Sequence, residues 1–394
     1  MPQLALQNLC SGCSACCVAC PKQAIKMQED KAGLLYPAVQ QERCVECHQC
    51  EKACPVLHPF EPSAVTLCYA AWTKDNMIRQ CCSSGGVFHA LASSVLENGG
   101  AVFGAVLRKD DFSCCHVKAE NPDELKPMLG SKYVQSDLGN TFEVCRKELE
   151  RQKTVLFSGT PCQVTGLLHS LKGHCTENLI TVEVICHGVP APAVWQAYLN
   201  EIRHGGQPGT IAEVNFRGKD HGWKHFSMQF VKENNGCSSI HSVFHRQDPY
   251  MMAFLRDLSL RPSCYDCAAK SGRSGADFSI ADFWGFEDIH PELDDDEGFS
   301  AVILHSAKAE KFWKSATDKL NIIPVASEDI FRRNSAYHQS CKLPAHREYF
   351  MSHYSDRGIS GAMRGPLLIW IIKKIFYKIL NIFTEKLTEK CKKQ

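Results

Sequence analysis

The cysteines near the N-terminus have a spacing that suits inorganic clusters. The first run has the pattern C-x2-C-x2-C-x3-C-P and consists of Cys10, Cys13, Cys16 and Cys20. The second run repeats that pattern 34 residues later and consists of Cys44, Cys47, Cys50 and Cys54. Closely spaced thiolates on one tight loop reach three corners of a cubane, while the cysteine before the proline reaches the other cluster. The sequence therefore predicts a module that holds two [4Fe–4S] clusters and carries single electrons.

Because the fourth cysteine of each run binds the cluster of the other run, each cluster takes three ligands from one run and one from the other. One cluster takes Cys10, Cys13, Cys16 and Cys54. The other takes Cys20, Cys44, Cys47 and Cys50. The alternatives are a zinc site, which usually uses C-x2-C pairs, or a disulfide framework. Residues 24–40, between the two runs, read as a β-hairpin with its turn near Asp30–Gly33.

Composition limits the class of protein. The chain has 394 residues, which predicts two or three domains, and 44 Lys+Arg balance 43 Asp+Glu, so charge gives no basis for nucleic-acid binding. The N-terminus lacks a basic segment followed by an apolar one, so we expect no secretory signal and a cytoplasmic protein. Its 23 cysteines then favour metal ligation over disulfides. The sequence contains no run of 18 apolar residues, so we expect no transmembrane helix.

Beyond about residue 65 the pattern changes to alternating strands and helices, which predicts an α/β region. Ser83, Ser84, Gly85 and Gly86 precede an amphipathic helix, VFHALASSVLEN. A Ser/Gly-rich turn into a helix N-terminus leaves backbone N–H groups free for a phosphate, whereas the alternative is an ordinary N-cap.

Two further strand–turn–helix units each carry a cysteine at the turn. Cys162 follows the apolar strand TVLFSG, and Cys186 follows LITVEVI. If the sheet is parallel, both cysteines lie at its carboxyl edge, where open α/β sheets bind ligands. Cys264 and Cys267 form a later C-x2-C, and the four thiols together suffice for a third [4Fe–4S] cluster. The alternative is two buried free cysteines and an incidental pair.

Several enzyme classes have no support in the sequence. No G-x-G-x-x-G follows a strand, so no nicotinamide fingerprint is visible. Neither H-E-x-x-H nor G-x-S-x-G occurs, which leaves hydrolase mechanisms without their motifs.

Taken together, the motifs resemble those of the coenzyme F420 hydrogenase/dehydrogenase beta-subunit family, in its form with a fused N-terminal ferredoxin domain. The matching segments occur in the family's order at 83–99, 131–139, 155–167, 184–199, 216–223 and 261–285. The resemblance implies a flavoprotein that binds FAD and passes electrons between the flavin and iron–sulfur clusters. Some members exchange hydride with coenzyme F420, and other relatives are ferredoxin-linked reductases.

The resemblance also implies site residues. It favours the third cluster, with Cys162, Cys186, Cys264 and Cys267 as its ligands. It makes Ser84, Gly85 and Gly86 candidates for flavin contact. Lys132, Lys270 and Arg273 become candidate phosphate partners, with solvated surface charge as the alternative. His187 and Asp282 are candidate catalytic residues near the flavin. His187 would donate a proton, although a histidine at a strand end more often satisfies backbone groups.

Two functions remain open from the sequence. The first is a flavin- and iron–sulfur-dependent oxidoreductase acting on a small-molecule substrate, with F420, NAD(P)H or ferredoxin as electron partner. The second is an electron-transfer subunit that serves a partner enzyme and has no substrate of its own. Either function predicts a redox partner protein, such as ferredoxin or another oxidoreductase subunit.

The predicted architecture has four parts. An α+β ferredoxin-like domain occupies residues 1–62, two α/β flavin-binding regions occupy 63–148 and 149–320, and an extension occupies 321–394. The extension ends in the amphipathic helix GPLLIWIIKKIFYKILNIFTEKL. Its broad apolar face and lysine-rich opposite face suit a helix lying at the inner membrane surface. The alternative is docking on its own domain or on a second copy in a homo-oligomer.

Overall fold

The fold is taken from a computed structural model, which describes residues 2–205 and 209–364. The predicted amphipathic helix beyond residue 365 lies outside the described residues. Within the described ranges, no helix has the length and apolar character needed to cross a bilayer.

The N-terminal domain consists of two short helices on either side of a hairpin. Its elements are α1 (Ala15–Val18), β1 (Ile25–Glu29), β2 (Leu35–Val39) and α2 (Gln49–Lys52). β1 and β2 pair in antiparallel register. At the turn, the Asp30 carboxylate accepts hydrogen bonds from the N–H groups of Ala32 (2.8 Å) and Leu34 (2.9 Å). The antiparallel pairing confirms the predicted hairpin. The Asp30 contacts explain its turn, because Asp side chains stabilise turns by bonding nearby backbone N–H groups.

The internal duplication seen in the cysteine spacing also appears in the backbone. Gly12 and Ser14 have positive φ angles of 69° and 62°, and Glu46 and His48, at matching positions in the second loop, have 52° and 56°. Left-handed residues alternating with ordinary ones turn successive N–H groups toward a common point and form anion-binding concavities. The two loops therefore present their first three cysteines in the same way.

A mixed eight-stranded sheet forms the centre of the larger region, in the order β13-β3-β12-β11-β7-β6-β4-β5. Its strands are β3 (Leu67–Thr73), β4 (Ala101–Leu107), β5 (Cys114–Ala119), β6 (Val155–Gly159), β7 (Leu179–Val184), β11 (Phe278–Asp282), β12 (Ser300–Leu304) and β13 (Leu320–Pro324). β4, β6, β7 and β11 are parallel, while antiparallel strands flank them. This arrangement confirms the α/β expectation and places the positions after β6 and β7 at one edge of the sheet.

A second, antiparallel sheet follows in the chain, in the order β10-β9-β8. Its strands are β8 (Thr210–Gly218), β9 (Ser227–Asn234) and β10 (Cys237–Phe244). The remaining helices are α3 (Asn76–Cys81), α4 (Val87–Glu97), α5 (Pro122–Leu125), α6 (Thr141–Glu150), α7 (Pro161–Ser170), α8 (Pro192–His204), α9 (Pro249–Leu255), α10 (Ala307–Trp313), α11 (Ser327–Arg333) and α12 (347–364).

The local sequence explains the helix starts that matter for the site. α4 begins after Gly86, whose φ of 85° is left-handed and favours glycine. α7 begins with a capping box, in which the Thr160 side chain and the Gln163 side chain bond each other's backbone N–H groups. Pro161 occupies the first helical position, where its missing N–H has no cost. The sequence predicted both helix starts.

Helices cover both faces of the main sheet. Leu91 of α4 and Trp313 of α10 pack on one face, and Phe142 of α6 and Val164 of α7 pack on the other. Because both faces are covered, the central strands are mostly apolar, as in other α/β proteins, with Thr181, Glu183 and Ser279 as buried polar exceptions. α8, α12 and the small sheet share a separate core.

The N-terminal domain packs directly against this larger region. Leu34 of its hairpin joins the core around Trp195 of α8, and Ala193 donates a hydrogen bond to the Ala32 carbonyl at 3.0 Å. On α7, Gly166 faces Cys13 so closely that an added Cβ would meet the Cys13 Cβ at 2.8 Å. The close approach explains a glycine in the middle of a helix, where it would otherwise be unfavourable.

We predict that Gly166→Ala lowers the thermal unfolding midpoint of the protein. The new methyl group overpacks the Cys13 loop, at a cost of about 1–3 kcal/mol, which outweighs a helix-propensity gain of about 1 kcal/mol. Thermal unfolding followed by circular dichroism, at a fixed cofactor content, checks this. A midpoint equal to or above that of the wild type would contradict the tight docking of the two regions.

Candidate functional site

Two small cavities in the N-terminal domain are each surrounded by four cysteines. Cavity A is lined by Cys10, Cys13, Cys16 and Cys54. Cavity B is lined by Cys20, Cys44, Cys47 and Cys50. The folded chain therefore brings the fourth cysteine of each run to the first three of the other run. These are the two sets that the spacing predicts as ligand groups.

Cavities A and B adjoin each other, and cavity B is the more exposed. Cys16 from cavity A and Cys50 from cavity B pack together with Ile25 in one small apolar cluster. Cys47 is exposed to solvent, and the neighbouring Val45 is 56% exposed. A group bound in cavity B would thus lie closest to the protein surface.

A third cavity, cavity C, lies where the N-terminal domain meets the main sheet. Its lining includes all four cysteines predicted for a third cluster, Cys162, Cys186, Cys264 and Cys267. Cys162 lies in the first turn of α7, Cys186 follows β7, and Cys264 lies in the 3-10 turn Pro262–Tyr265. The sequence could not show that these separate segments meet.

The cysteines around cavity C are buried thiols. Burial, together with the other thiols nearby, raises the pKa of Cys186 and of Cys264 to about 12. Burial also raises the pKa of Cys162, although a helix N-terminus such as that of α7 by itself favours the thiolate. At neutral pH these groups hold their protons, and a metal that binds them must displace those protons.

Cavities A and C share a wall. Ser11, Pro55 and Val56 line both of them. Cys13 of cavity A contacts Gly166, which lies one helical turn after Cys162 of cavity C. The contact between the two regions is therefore also the contact between the two cysteine sites.

Arg261 connects the same two sites, and the sequence reasoning missed it. Its guanidinium donates hydrogen bonds to the carbonyl oxygens of Cys10 (2.7 Å) and Leu35 (2.9 Å) and to the Gln135 side chain (3.0 Å). The side chain is 1% exposed and stacks on the Tyr36 ring. Its position three residues before Cys264 was the available signal, but no pattern indicates partners 251 residues away.

A large cavity, cavity D, opens beyond cavity C at the carboxyl ends of the parallel strands. Its volume is about 700 Å³, which is the size of a ligand pocket. Thr160, Cys186 and His187 are among the residues that line both C and D. The four cavities therefore form a series in the order B, A, C, D.

Some of the predicted flavin-contacting residues line cavity D. Ser84, Gly86 and Lys132 do so. Gly85 is not part of the lining, because it packs against β3 and β12, where a Cβ would collide with the Ala71 carbonyl oxygen. The Lys132 ammonium bonds the carbonyl oxygens of Leu129 and Gly130, and burial lowers its pKa to about 8.

The other two predicted phosphate partners lie elsewhere. Lys270 is buried beside cavity C, where its ammonium bonds the carbonyl oxygens of Cys186 and Ala336. Arg273 is exposed and does not line cavity D. Ser271 and Gly272, between these two residues, both have left-handed φ angles.

The two predicted catalytic residues both line cavity D but have partners. His187 Nε2 lies 2.6 Å from Asp257 Oδ1, and its ring packs edge-on against Phe254. Asp282 accepts hydrogen bonds from Arg217 at 2.8 Å and from the Trp223 indole at 3.3 Å. Neither side chain is thus free to act without giving up a contact.

Arg217 is a second residue that the sequence reasoning missed, although it lies in the segment FRGKDHGW. Its side chain is 2% exposed, and its guanidinium lies 4.0 Å from the centre of the Phe226 ring. Pairing with Asp282 raises the pKa of Arg217 against the effect of burial, so the group stays charged. The basic residues that line cavity D are Lys132, Arg217, Lys224, Arg246 and Arg333. Asp282 supplies the only carboxylate among the described lining residues, while Lys224 and Arg333 pair with Asp294 and Asp288 outside the lining. Lys132 and Arg246 remain as positive charges that suit an anionic ligand.

We predict that Asp282→Ala destabilises the protein by about 3–5 kcal/mol, because it leaves the buried Arg217 guanidinium without a counter-charge. The unfolding midpoint, measured at equal cofactor content, should fall by several degrees. The control is Asp123→Ala, which breaks the exposed Lys126–Asp123 pair and should leave the midpoint nearly unchanged. Equal effects of the two substitutions would contradict the structural role of the Arg217–Asp282 pair.

Matches to known protein families cover the segments that carry the cysteine cavities. A family model described as "4Fe-4S dicluster domain" matches residues 9–57. Two models of the coenzyme F420 hydrogenase/dehydrogenase beta subunit, one for its N-terminal part and one for its C-terminal part, match residues 68–142 and 152–328. The eight cysteines of cavities A and B thus fall in the match at 9–57, and the four cysteines of cavity C fall in the match at 152–328.

Individual relatives are more distant. A polyferredoxin-like protein of Methanocaldococcus jannaschii is 31% identical over 68 residues, which are 15% of this chain and 40% of that protein. The F420-reducing [NiFe] hydrogenase complex from Methanosarcina barkeri contains a chain with 15% identity and a TM-score of 0.46, over 77% of this chain and 91% of that one. The family matches are the stronger finding, and by them the chain belongs to the coenzyme F420 hydrogenase/dehydrogenase beta-subunit family, with a 4Fe-4S dicluster domain at its N-terminus.

Proposed function

We propose that this chain is an iron–sulfur flavoprotein oxidoreductase. Single electrons pass between cavities B, A and C, each holding a [4Fe–4S] cluster, and a FAD in cavity D, where a small substrate gains or loses hydride. The observation that carries the proposal is the unbroken series of four cavities with shared or touching walls. Series placement is what an electron path requires, because each carrier must lie next to the following one.

The residues around cavities A, B and C fit clusters. Each cavity has four cysteine side chains, the number that a [4Fe–4S] cubane takes. In this proposal residues 1–62 hold two clusters, and of the two family regions, 63–148 and 149–320, the second supplies all four cysteines of the third cluster. The turns with left-handed Gly12 and Ser14, and their counterparts in the second loop, direct N–H groups toward the sulfide positions.

Cavity D fits a flavin dinucleotide. Gly86 caps α4 with no side-chain hydrogen bond, so the first N–H groups of this 11-residue helix remain available for a diphosphate, and Lys132 lies in the same lining. A bound flavin converts two-electron hydride chemistry into one-electron steps. Arg217 and Asp282 hold the cavity wall in place, and His187 is one of three histidines in the lining, with His116 and His245.

The substrate class follows from the charge of cavity D. Lys224 and Arg333 are paired with Asp294 and Asp288, so Arg246 supplies the added positive charge beside the proposed flavin site. That charge suits an anionic hydride carrier such as coenzyme F420. A ferredoxin or another oxidoreductase subunit would dock at cavity B, where Cys47 is exposed and Val45 is 56% exposed. This exposed end also favours the second candidate, an electron-transfer subunit without its own substrate, which predicts that no small molecule reduces the flavin.

The double variant Cys264→Ser/Cys267→Ser tests the path. Oxygen-free wild type should contain about 12 iron atoms per chain and the variant about 8, since each cubane holds four. A hydride donor, screened among reduced F420, NADH and NADPH, should bleach the flavin in both proteins. It should reduce clusters A and B rapidly only in the wild type, as measured by stopped-flow absorbance.

The control is Cys237→Ser, which alters an exposed cysteine outside all four cavities and should behave as the wild type. Purified wild type with about 8 iron atoms and no flavin would contradict the proposal. So would a double variant in which clusters A and B are reduced as fast as in the wild type.

A second prediction concerns pH. The pKa of Lys132, lowered to about 8 by burial, means that the ammonium is charged below pH 8 and neutral above it. If it binds the flavin diphosphate, FAD affinity should fall about tenfold between pH 7 and pH 9.5, as one charge interaction is lost. Equilibrium dialysis of FAD checks this. Lys132→Met should remove the pH dependence, while Lys126→Met, at an exposed site, should retain it. A pH dependence that persists in Lys132→Met would contradict the assignment.

A further inference from the structure

Three potential metal ligands meet beside the wall between cavities C and D. They are His187, Asp257 and Cys341, and their ligand atoms all lie within 4.8 Å of one another. None of the three belongs to the cysteine sets of cavities A, B and C. We propose that they bind one divalent transition-metal ion, with zinc the best match, at a site separate from the clusters and from the flavin.

Three distant parts of the chain supply these ligands. His187 follows β7, Asp257 follows α9, and Cys341 comes after the 3-10 turn Ser335–Tyr337 in the C-terminal extension. Asp257 has a left-handed φ of 60°, a conformation that is uncommon for residues other than glycine. Cys341 lies beyond residue 328, where the family match ends, so the ligand set is assembled partly from sequence outside that match.

In the structure, hydrogen bonds connect groups that a metal ion would bind once it displaced their protons. His187 Nε2 lies 2.6 Å from Asp257 Oδ1, and Cys341 Sγ donates to the His187 carbonyl oxygen at 2.8 Å. In a tetrahedral zinc site with bonds of about 2.0–2.3 Å, ligand atoms lie about 3.3–3.8 Å apart. A zinc ion therefore fits after shifts of about 1 Å, and it replaces the protons of the thiol and of the His–Asp hydrogen bond.

The donor set selects the metal. An aspartate and a thiolate carry two negative charges and neutralise a divalent cation, while a neutral imidazole adds the third bond. Nitrogen, oxygen and sulfur in one site favour zinc or a similar transition metal, whereas calcium and magnesium prefer oxygen ligands alone.

Neighbouring groups hold two of the ligands in orientation. The Asp257 N–H donates to the Phe254 carbonyl at 2.9 Å, and the Tyr265 hydroxyl donates to the Asp257 carbonyl. The Phe254 ring also contacts the His187 ring edge-on, with centroids 5.2 Å apart. These contacts fix the backbone of Asp257 and the plane of the His187 ring, and so limit how far the two ligands can move.

The location gives the ion a role distinct from electron transfer. Three protein ligands leave a fourth zinc position for water or for an oxygen atom of a ligand. The His187 side chain is 40% exposed and lines cavity D, so a molecule bound in that cavity comes within reach of the ion. The site therefore supplies a Lewis acid beside the cavity, whether or not cavity D holds a flavin.

Zinc titration of the oxygen-free holoprotein, with its iron clusters in place and after removal of loosely bound metal, tests the proposal. A chromophoric chelator competes for the zinc and reports its affinity. We expect one zinc per chain, and zinc K-edge X-ray absorption should show one sulfur at about 2.3 Å with nitrogen and oxygen ligands at about 2.0 Å. Cys341→Ser and Asp257→Asn should each weaken zinc binding by more than about tenfold at unchanged iron content.

Cys237→Ser, at an exposed position, is the control and should bind zinc as the wild type does. Equal zinc affinity in Cys341→Ser and the wild type would overturn the proposal. Two or more sulfur ligands in the absorption spectrum would also overturn it, because the zinc would then occupy a cluster site. Loss of iron from Cys341→Ser would overturn it as well, by making Cys341 a cluster ligand. Each of these results leaves the proposed electron path standing.

Discussion

The Arg261 guanidinium donates hydrogen bonds to the backbone oxygens of Cys10 and Leu35 and to Gln135, and so joins the N-terminal domain to the loop that carries Cys264. Hydrogen bonds from a charged donor contribute about 1.5–3 kcal/mol each, and a buried guanidinium without them is strongly unfavourable. The Cys10 and Leu35 carbonyl oxygens can accept these hydrogen bonds only when the N-terminal domain is docked so that cavities A and C adjoin. The mutual position of the two proposed cluster sites is therefore set by the burial of one charge.

The contact between the N-terminal domain and the larger region also requires glycines at its closest approaches. Gly166 allows Cys13 to approach α7, and an added Cβ at Gly12 would meet the Arg261 guanidinium at 2.7 Å. Each region thus has a glycine where the other approaches closely: Gly12 faces Arg261, and Gly166 faces Cys13. Neither region can shift without loss of packing or of the Arg261 hydrogen bonds. The C-terminal extension adds further contacts, since Ser340 accepts a hydrogen bond from the N–H of Cys267.

How much the sequence predicts depends on the range of the interactions. The cysteine spacing, the hairpin at Asp30 and the start of α7 are local patterns, and each is seen in the structure. The meeting of Cys162, Cys186 and the C-x2-C pair depends on strand order and could only be proposed. Arg217 and Arg261 were missed, because a buried arginine has the same sequence signature as an exposed one until its partners are known. Lys270 and Arg273 were assigned by charge and by their place in the family's motif, and neither lines cavity D.

The central claim is that the cofactors lie in series, with B touching A, A touching C and C touching D. The electron paramagnetic resonance spectrum of the fully reduced, oxygen-free protein tests it most directly, because neighbouring reduced clusters interact magnetically. We predict a broad, split spectrum that simplifies to the signals of two interacting clusters when Cys264 and Cys267 are replaced by serine. A wild-type spectrum equal to the sum of independent, unsplit cluster signals would contradict the account.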